Sequence, residues 1–122
     1  MERGRPQVAY SPLTNEYLLV YEEYNTTGAH LLYAQRISPS GLVVGSAQSL
    51  GTGPDSRLDP HVVWGGSRWL VVWREESMLS TSTAPNALKA RFVNVDGKAD
   101  GAELELASSG DVNNKPARVA YN

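Results

Sequence analysis

A chain of 122 residues fits one ordinary domain, and with 41% hydrophobic and 20% charged residues its composition is globular, not disordered. A formal net charge of −2 with both signs interspersed gives no basic footprint for nucleic acid or an anionic membrane. The absence of cysteine excludes disulfides and thiolate metal centres.

The opening Met1-Glu2-Arg3-Gly4-Arg5-Pro6 leads into no apolar run of the signal-peptide kind. The cytoplasm is therefore expected for the chain as written, and secretion if a leader has been removed. No stretch is apolar over the length a membrane helix needs.

The first predicted strand is Pro6-Gln7-Val8-Ala9-Tyr10, followed by a turn over Ser11 to Glu16. Tyr17 to Tyr21 is a continuous apolar run rich in β-branched and aromatic residues, which predicts a strand buried on both faces. A third strand, Leu32 to Ile37, ends in a Ser40-Gly41 turn, and Gly45 to Leu50 gives a weaker fourth. No window carries a helical period.

The same series then returns. Pro60-His61-Val62-Val63-Trp64 matches Pro6 to Tyr10 at an offset of 54. Trp69-Leu70-Val71-Val72-Trp73-Arg74-Glu75 matches Tyr17 to Glu23 at an offset of 52. Leu88 to Val93 matches Leu32 to Ile37, and Gly101 to Leu106 matches Gly45 to Leu50, both at 56. The offset changes only between strands, where loops accept insertion. Leu88, Ala90 and Phe92 alternate with Lys89, Arg91 and Val93, as in a half-exposed strand. Leu104 and Leu106 alternate with Glu103 and Glu105, which suits a sheet edge. Gly65-Gly66 and Asp96-Gly97 supply hairpin turns. The Ser/Thr-rich stretch from Ser77 to Pro85 reads as a mobile loop. Val119-Ala120-Tyr121 echoes Val8-Ala9-Tyr10, as if a third unit began at Pro116. The expected units are thus 1–56, 57–115 and the first strand of a further repeat over 116–122.

The succession Pro-x-Val-Ala-Tyr, Tyr/Trp-Leu-Val-Val-Trp-x-Glu and Ala-x-Arg-Val-x-x-x-Gly resembles blade repeats of secreted bacterial proteins, which are similar to β-propeller modules. The resemblance covers essentially the whole chain and implies an all-β fold of two tandem four-stranded antiparallel blade-like sheets, with the first strand of each nearest a central channel. It says little about activity, because propellers host many functions. The chain departs from the family in lacking an export signal and in holding only two full units, where propellers use about four to eight blades. Completion by oligomerisation is therefore expected. A trimer making six blades is favoured over two or four copies, with Arg118 to Asn122 completing a neighbour's sheet. The alternative is a piece of a longer protein with its two sheets packed as a sandwich.

Candidate sites are few. Asn94, Asp96 and Asp100 have oxygen-ligand spacing around Gly97, but the matching segment Ser38 to Val44 keeps the turn without any carboxylate, so a hairpin is expected and not a calcium loop. His30 and His61 do not occupy matching positions, and no serine sits in a nucleophile elbow. Glu22, Glu23, Glu75 and Glu76 are neighbours along strands and point to opposite faces. Glu23 and Glu75 recur in both copies, which predicts a structural hydrogen bond or an ion pair with Arg36 or Arg91. No catalytic set, cofactor or metal is expected.

The aromatic residues are the best lead. Tyr10, Trp64, Tyr24, Tyr33 and Trp69 are the candidate ligand-binding residues, since ring faces stack on sugars and repeated shallow sites add avidity. The expected function is a non-catalytic module that recognises carbohydrate or a small polar ligand at or between blades of an oligomeric propeller. The competing expectation is a structural or protein-interaction repeat with no small ligand. There the matched Tyr/Trp positions serve packing.

Overall fold

A computed structural model of the protein describes residues 3–24, 26, 28–51, 55–76 and 87–108. These form eight strands and no helix: β1 (Arg3–Ser11), β2 (Glu16–Tyr24), β3 (His30–Ile37), β4 (Val43–Ser49), β5 (Ser56–Trp64), β6 (Trp69–Glu76), β7 (Ala87–Val93) and β8 (Ala99–Ser108). They make two four-stranded antiparallel sheets in plain sequence order, β1-β2-β3-β4 and β5-β6-β7-β8. The expected segments 77–85 and 116–122 lie outside the described residues.

The repeat holds at the level of register. Tyr10 opposes Tyr17 as Trp64 opposes Trp69, and Val8 opposes Leu19 as Val62 opposes Val71. Tyr21 faces Tyr33 as Trp73 faces Lys89, and Ala34 faces Gln48 as Ala90 faces Leu104. The first ladder of each sheet shifts at the same place, between Gly4 and Gln7 and between Leu58 and His61, and the last ladders share a shift at Ala34/Arg36 and Ala90/Phe92, while Leu88/Lys89 adds one in the second sheet. Such bulges bend a strand and sharpen its twist locally, so both first strands carry this feature at the matching place.

Turn chemistry explains the joints. Asn94 N–H donates to Lys98 O at 2.9 Å and Gly97 N–H to Asn94 O at 2.9 Å. Ser38 and Gly41 make the same two bonds with Leu42 and Ser38. Gly41 (φ 87°) and Gly97 (φ 81°) hold the left-handed conformation that these turns require. In the β1–β2 and β5–β6 hairpins that conformation falls to Asn15 (φ 57°) and Gly66 (φ 96°).

The sheets pack through one continuous core. Leu18, Val20, Leu32, Ala34 and Leu50 meet Val62, Trp69, Val71, Trp73 and Val93. Burying each tryptophan removes roughly 150–250 Å² from water, a gross gain of about 4–6 kcal/mol before ordering costs. β5 approaches β1 most closely and also reaches β2 and β3. Polar contacts fasten this seam. The buried Glu22 carboxylate accepts the Asp59 N–H at 3.0 Å, and Ser56 Oγ accepts the His30 N–H at 3.0 Å. Across the sheets Arg91 Nη1 donates to Leu50 O at 3.0 Å.

The faces used by the two sheets are not equivalent. β2 contributes Leu18, Val20 and Glu22 to the seam, whereas β6 contributes Trp69, Val71 and Trp73, the counterparts of Tyr17, Leu19 and Tyr21. The packing is head to tail, with opposite faces of the same unit in contact. It also corrects one expectation. β2 is buried on alternate residues only, because among the described residues no sheet lies against its Tyr17–Leu19–Tyr21 face. β6 comes closer to burial on both faces, with Val72 and Ala90 forming a small second cluster backed by Leu70 and Leu88.

Candidate functional site

The uncovered face of the first sheet is the most distinctive surface among the described residues. Strand alternation places Tyr17, Leu19 and Tyr21 there, and their cross-strand partners Ile37, Gln35 and Tyr33 share it. The twisted surface holds a groove of about 440 Å³ lined by Pro6, Leu19, Tyr21, Gln35, Ile37 and Val43, together with Ala47. Tyr21 and Tyr33 stack beside it, with ring centroids 5.9 Å apart and planes inclined by 23°. Gln35 Nε2 donates to the carbonyls of Val44 (3.0 Å) and Gly45 (3.2 Å), so the amide is held down and the groove stays largely apolar. Among the described residues no carboxylate, imidazole or amine lines it. It can exclude water and pack, and the ionisable side chain among its described lining residues is the Tyr21 phenol, which stacks on Tyr33.

The residues singled out for ligand stacking are dispersed. Trp69 is fully buried, and its indole N–H finds no acceptor among the described residues. Trp64 is half-buried and meets Trp69 edge to face at 5.2 Å and 73°. Tyr10 is 43% exposed, tilts against Tyr17 at 5.2 Å, and donates its hydroxyl to Asn15 Oδ1 at 2.6 Å. Tyr24 is exposed at the far end of β2, where its ring stands at 90° to His30. Seven strand steps separate Tyr17 from Tyr24, about 23 Å, so Tyr10 and Tyr24 cannot touch one small ligand. Tyr33 alone of the five stands beside the groove. Leu19, Gln35, Ile37 and Val43 went unnoticed in the sequence because a search for chemistry passes over plain apolar positions. The repeat could have pointed to Leu19 and Ile37, whose counterparts Val71 and Val93 are buried, but not to Gln35 or Val43, whose counterparts Arg91 and Ala99 are only partly so.

The remaining candidates resolve into structural contacts. Asn94 Oδ1 accepts the N–H groups of Asp96 (3.0 Å) and Lys98 (3.2 Å), which makes it a turn residue, and Asp100 pairs with Arg68 at 3.2 Å. Among the described residues no group of three or more histidine or carboxylate side chains converges as a metal site would require. His30 Nδ1 lies 2.7 Å from Glu22 Oε1, beside the bond from Asp59 that ties the sheets together. Asp59 holds φ 56° immediately before Pro60, a strained backbone that Glu22 and Arg74 secure from both sides.

Of the two structural roles expected for the recurrent glutamates, Glu75 takes the hydrogen bond, and its ion-pair partners are not Arg36 or Arg91. Glu75 accepts from Trp73 Nε1 at 3.3 Å and pairs with Lys89 (2.8 Å) and Arg57 (3.4 Å). Arg36 instead binds Glu16 at 2.8 Å, and Arg91 donates to the carbonyls of Gly101 and Leu50. The reason is register. Lys89 faces Trp73 across the ladder, next to Glu75, whereas Arg91 lies a further pleat away and points at the seam. The Glu75 hydrogen bond raises the Lys89 pKa above its ordinary 10.5; burial opposes this, and the charges of Glu75, Glu103 and Glu105 add to it.

No family model matches the chain, and no curated protein or solved structure matches it either.

Proposed function

We propose that this chain is a structural, protein-interaction repeat unit of a β-propeller-like assembly, without catalytic chemistry of its own, and that its two outward sheet faces are docking surfaces for further sheets of the same kind. One observation carries the reading. The two sheets are joined by opposite faces, so the contact leaves one face of each kind unused and does not close on itself. A two-sheet sandwich built from equivalent faces would leave no such complementary pair. The groove is largely apolar, with no carboxylate, imidazole or amine among its described lining residues, which favours packing over catalysis.

A second reading is carbohydrate recognition, favoured by the adjacent and partly exposed rings of Tyr10 and Tyr17. Their counterparts Trp64 and Trp69 form the same kind of pair inside the seam, which favours packing. Hydroxyl-radical footprinting of the native protein separates the two. Protection of Tyr17 and Tyr21, with Tyr24 reactive, is expected for a docked face. Full reactivity at Tyr17 and Tyr21 sinks the docking reading. Protection of Tyr10 and Tyr17 that appears only on adding soluble oligosaccharides establishes the second.

A further inference from the structure

We infer that the occupant of the first sheet's open face is the outer face of the second sheet of another copy of this chain, seated as the two sheets are seated within one copy. This rests on the docking reading above and adds the identity of the partner and its register.

The existing seam supplies the template. On its donor side the buried residues are Leu18, Val20, Leu32, Ala34 and Leu50. Their counterparts on the second sheet are Leu70, Val72, Leu88, Ala90 and Leu106, identical at all five positions. Leu70, Val72, Leu88 and Ala90 already gather in one cluster on the side turned away from the seam, and Leu106 is 52% exposed. On its acceptor side the seam buries Val62, Trp69, Val71, Trp73 and Val93. The counterparts on the first sheet are Val8, Tyr17, Leu19, Tyr21 and Ile37, all apolar or aromatic and none fully buried. One chain therefore carries both halves of a second seam, and cannot bring its own halves together.

Polar details carry over in part. Arg91 bonds to the Gly101 carbonyl in its own sheet and reaches Leu50 O across the seam. Gln35, its counterpart, bonds to Gly45, the counterpart of Gly101, and faces the groove. Its two amide N–H groups are already given to carbonyls of its own sheet, so this position would face the partner's Leu106 without the cross-seam bond that Arg91 makes. At the rim, Gly97 lies so close under Arg36 that an added Cβ would stand 2.8 Å from its Cδ. The matching Gly41 has nothing within 4 Å of that position, which leaves room for the partner's Phe92. With a net charge of only −2, copies meet without strong repulsion. Repeating a head-to-tail seam around an axis gives closed rings of even blade number. Two, three or four copies correspond to four, six or eight blades.

The chain has no cysteine, so single thiols can report contacts cleanly. Gln35→Cys and Leu106→Cys are prepared separately, mixed and oxidised, alongside light scattering of the unaltered chain. Expected are a disulfide-linked heterodimer in the mixture, little cross-linking of either variant alone, and a native mass two to four times that of the 13.3 kDa chain. A monomeric mass overturns the inference. So does efficient cross-linking of Gln35→Cys with itself, the mark of a two-fold contact between like faces. A monomer whose Tyr17 and Tyr21 are nonetheless protected from radicals leaves the docking reading standing and removes only the second copy as the occupant.

Discussion

The two sheets share strand order, registers and bulges, and yet Trp69 is 0% exposed while its counterpart Tyr17 is 38% exposed. The same contrast holds for Trp73 and Tyr21, and for Val71 and Leu19. Burial here is a property of the neighbour and not of the strand. A face that reads as core in the alphabet of one repeat becomes core only where another sheet lies on it. The substitution pattern follows the difference. The covered face carries Trp, the larger and less polar ring. The uncovered face carries Tyr, whose hydroxyl tolerates water.

The contrast is broken most forcefully at the aromatic pair. Trp69→Ala is expected to cost about 3–5 kcal/mol, because the cavity lies in a packed seam. Tyr17→Ala, measured at concentrations low enough to keep copies apart, is expected to cost less than about 1 kcal/mol. Urea denaturation of both variants measures the gap, and equal losses would mean that the first sheet's face is already covered in the isolated chain.

The two rim glycines sharpen the comparison at smaller magnitude. Alanine at either Gly41 or Gly97 meets the left-handed backbone penalty of about 1–2 kcal/mol. Gly97→Ala also displaces Arg36, so it is expected to melt below Gly41→Ala. The proposed assembly over Gly41 predicts that the order narrows or reverses as concentration rises.

The smallest expected effect is a pH dependence confined to the second sheet. Lys89 has a folded pKa raised above 10.5, so its contribution to stability is fully present below that value and is lost as pH rises through the raised one. The stability difference between the unaltered chain and Lys89→Met should be constant from neutral pH to about 10 and shrink above it. Tyr33 occupies the matching position, so Tyr33→Met should show no such step traceable to an amine at this site. A flat difference curve for Lys89→Met would remove the assigned role of Glu75.

Much of the fold was legible because strands advertise themselves through period, turns and repetition. The 54, 52 and 56 offsets in the sequence reappear as equivalent cross-strand partners, but the two extra residues expected in a longer turn between Ser11 and Glu16 instead add a ladder pair, Ser11 with Glu16, and leave both hairpins with four-residue loops. The alternation of Leu104 and Leu106 with Glu103 and Glu105 marked an edge strand, and β8 is one. Partner choice was not legible for Glu75. Whether Lys89 or Arg91 reaches it depends on ladder register and on which face meets the seam.

The sequence by itself determined the eight strands, their order within each sheet and the equivalence of the two halves. These depend on local periodicity, turn residues and repetition, all of which are written along the chain. Only the tertiary structure decided that the sheets join by opposite faces, that Trp69 is interior while Tyr17 is not, and that the apolar groove lies on the first sheet. Each strand offers two faces of similar composition, and the choice between them is made by packing energy summed over both sheets, a quantity that no single strand contains.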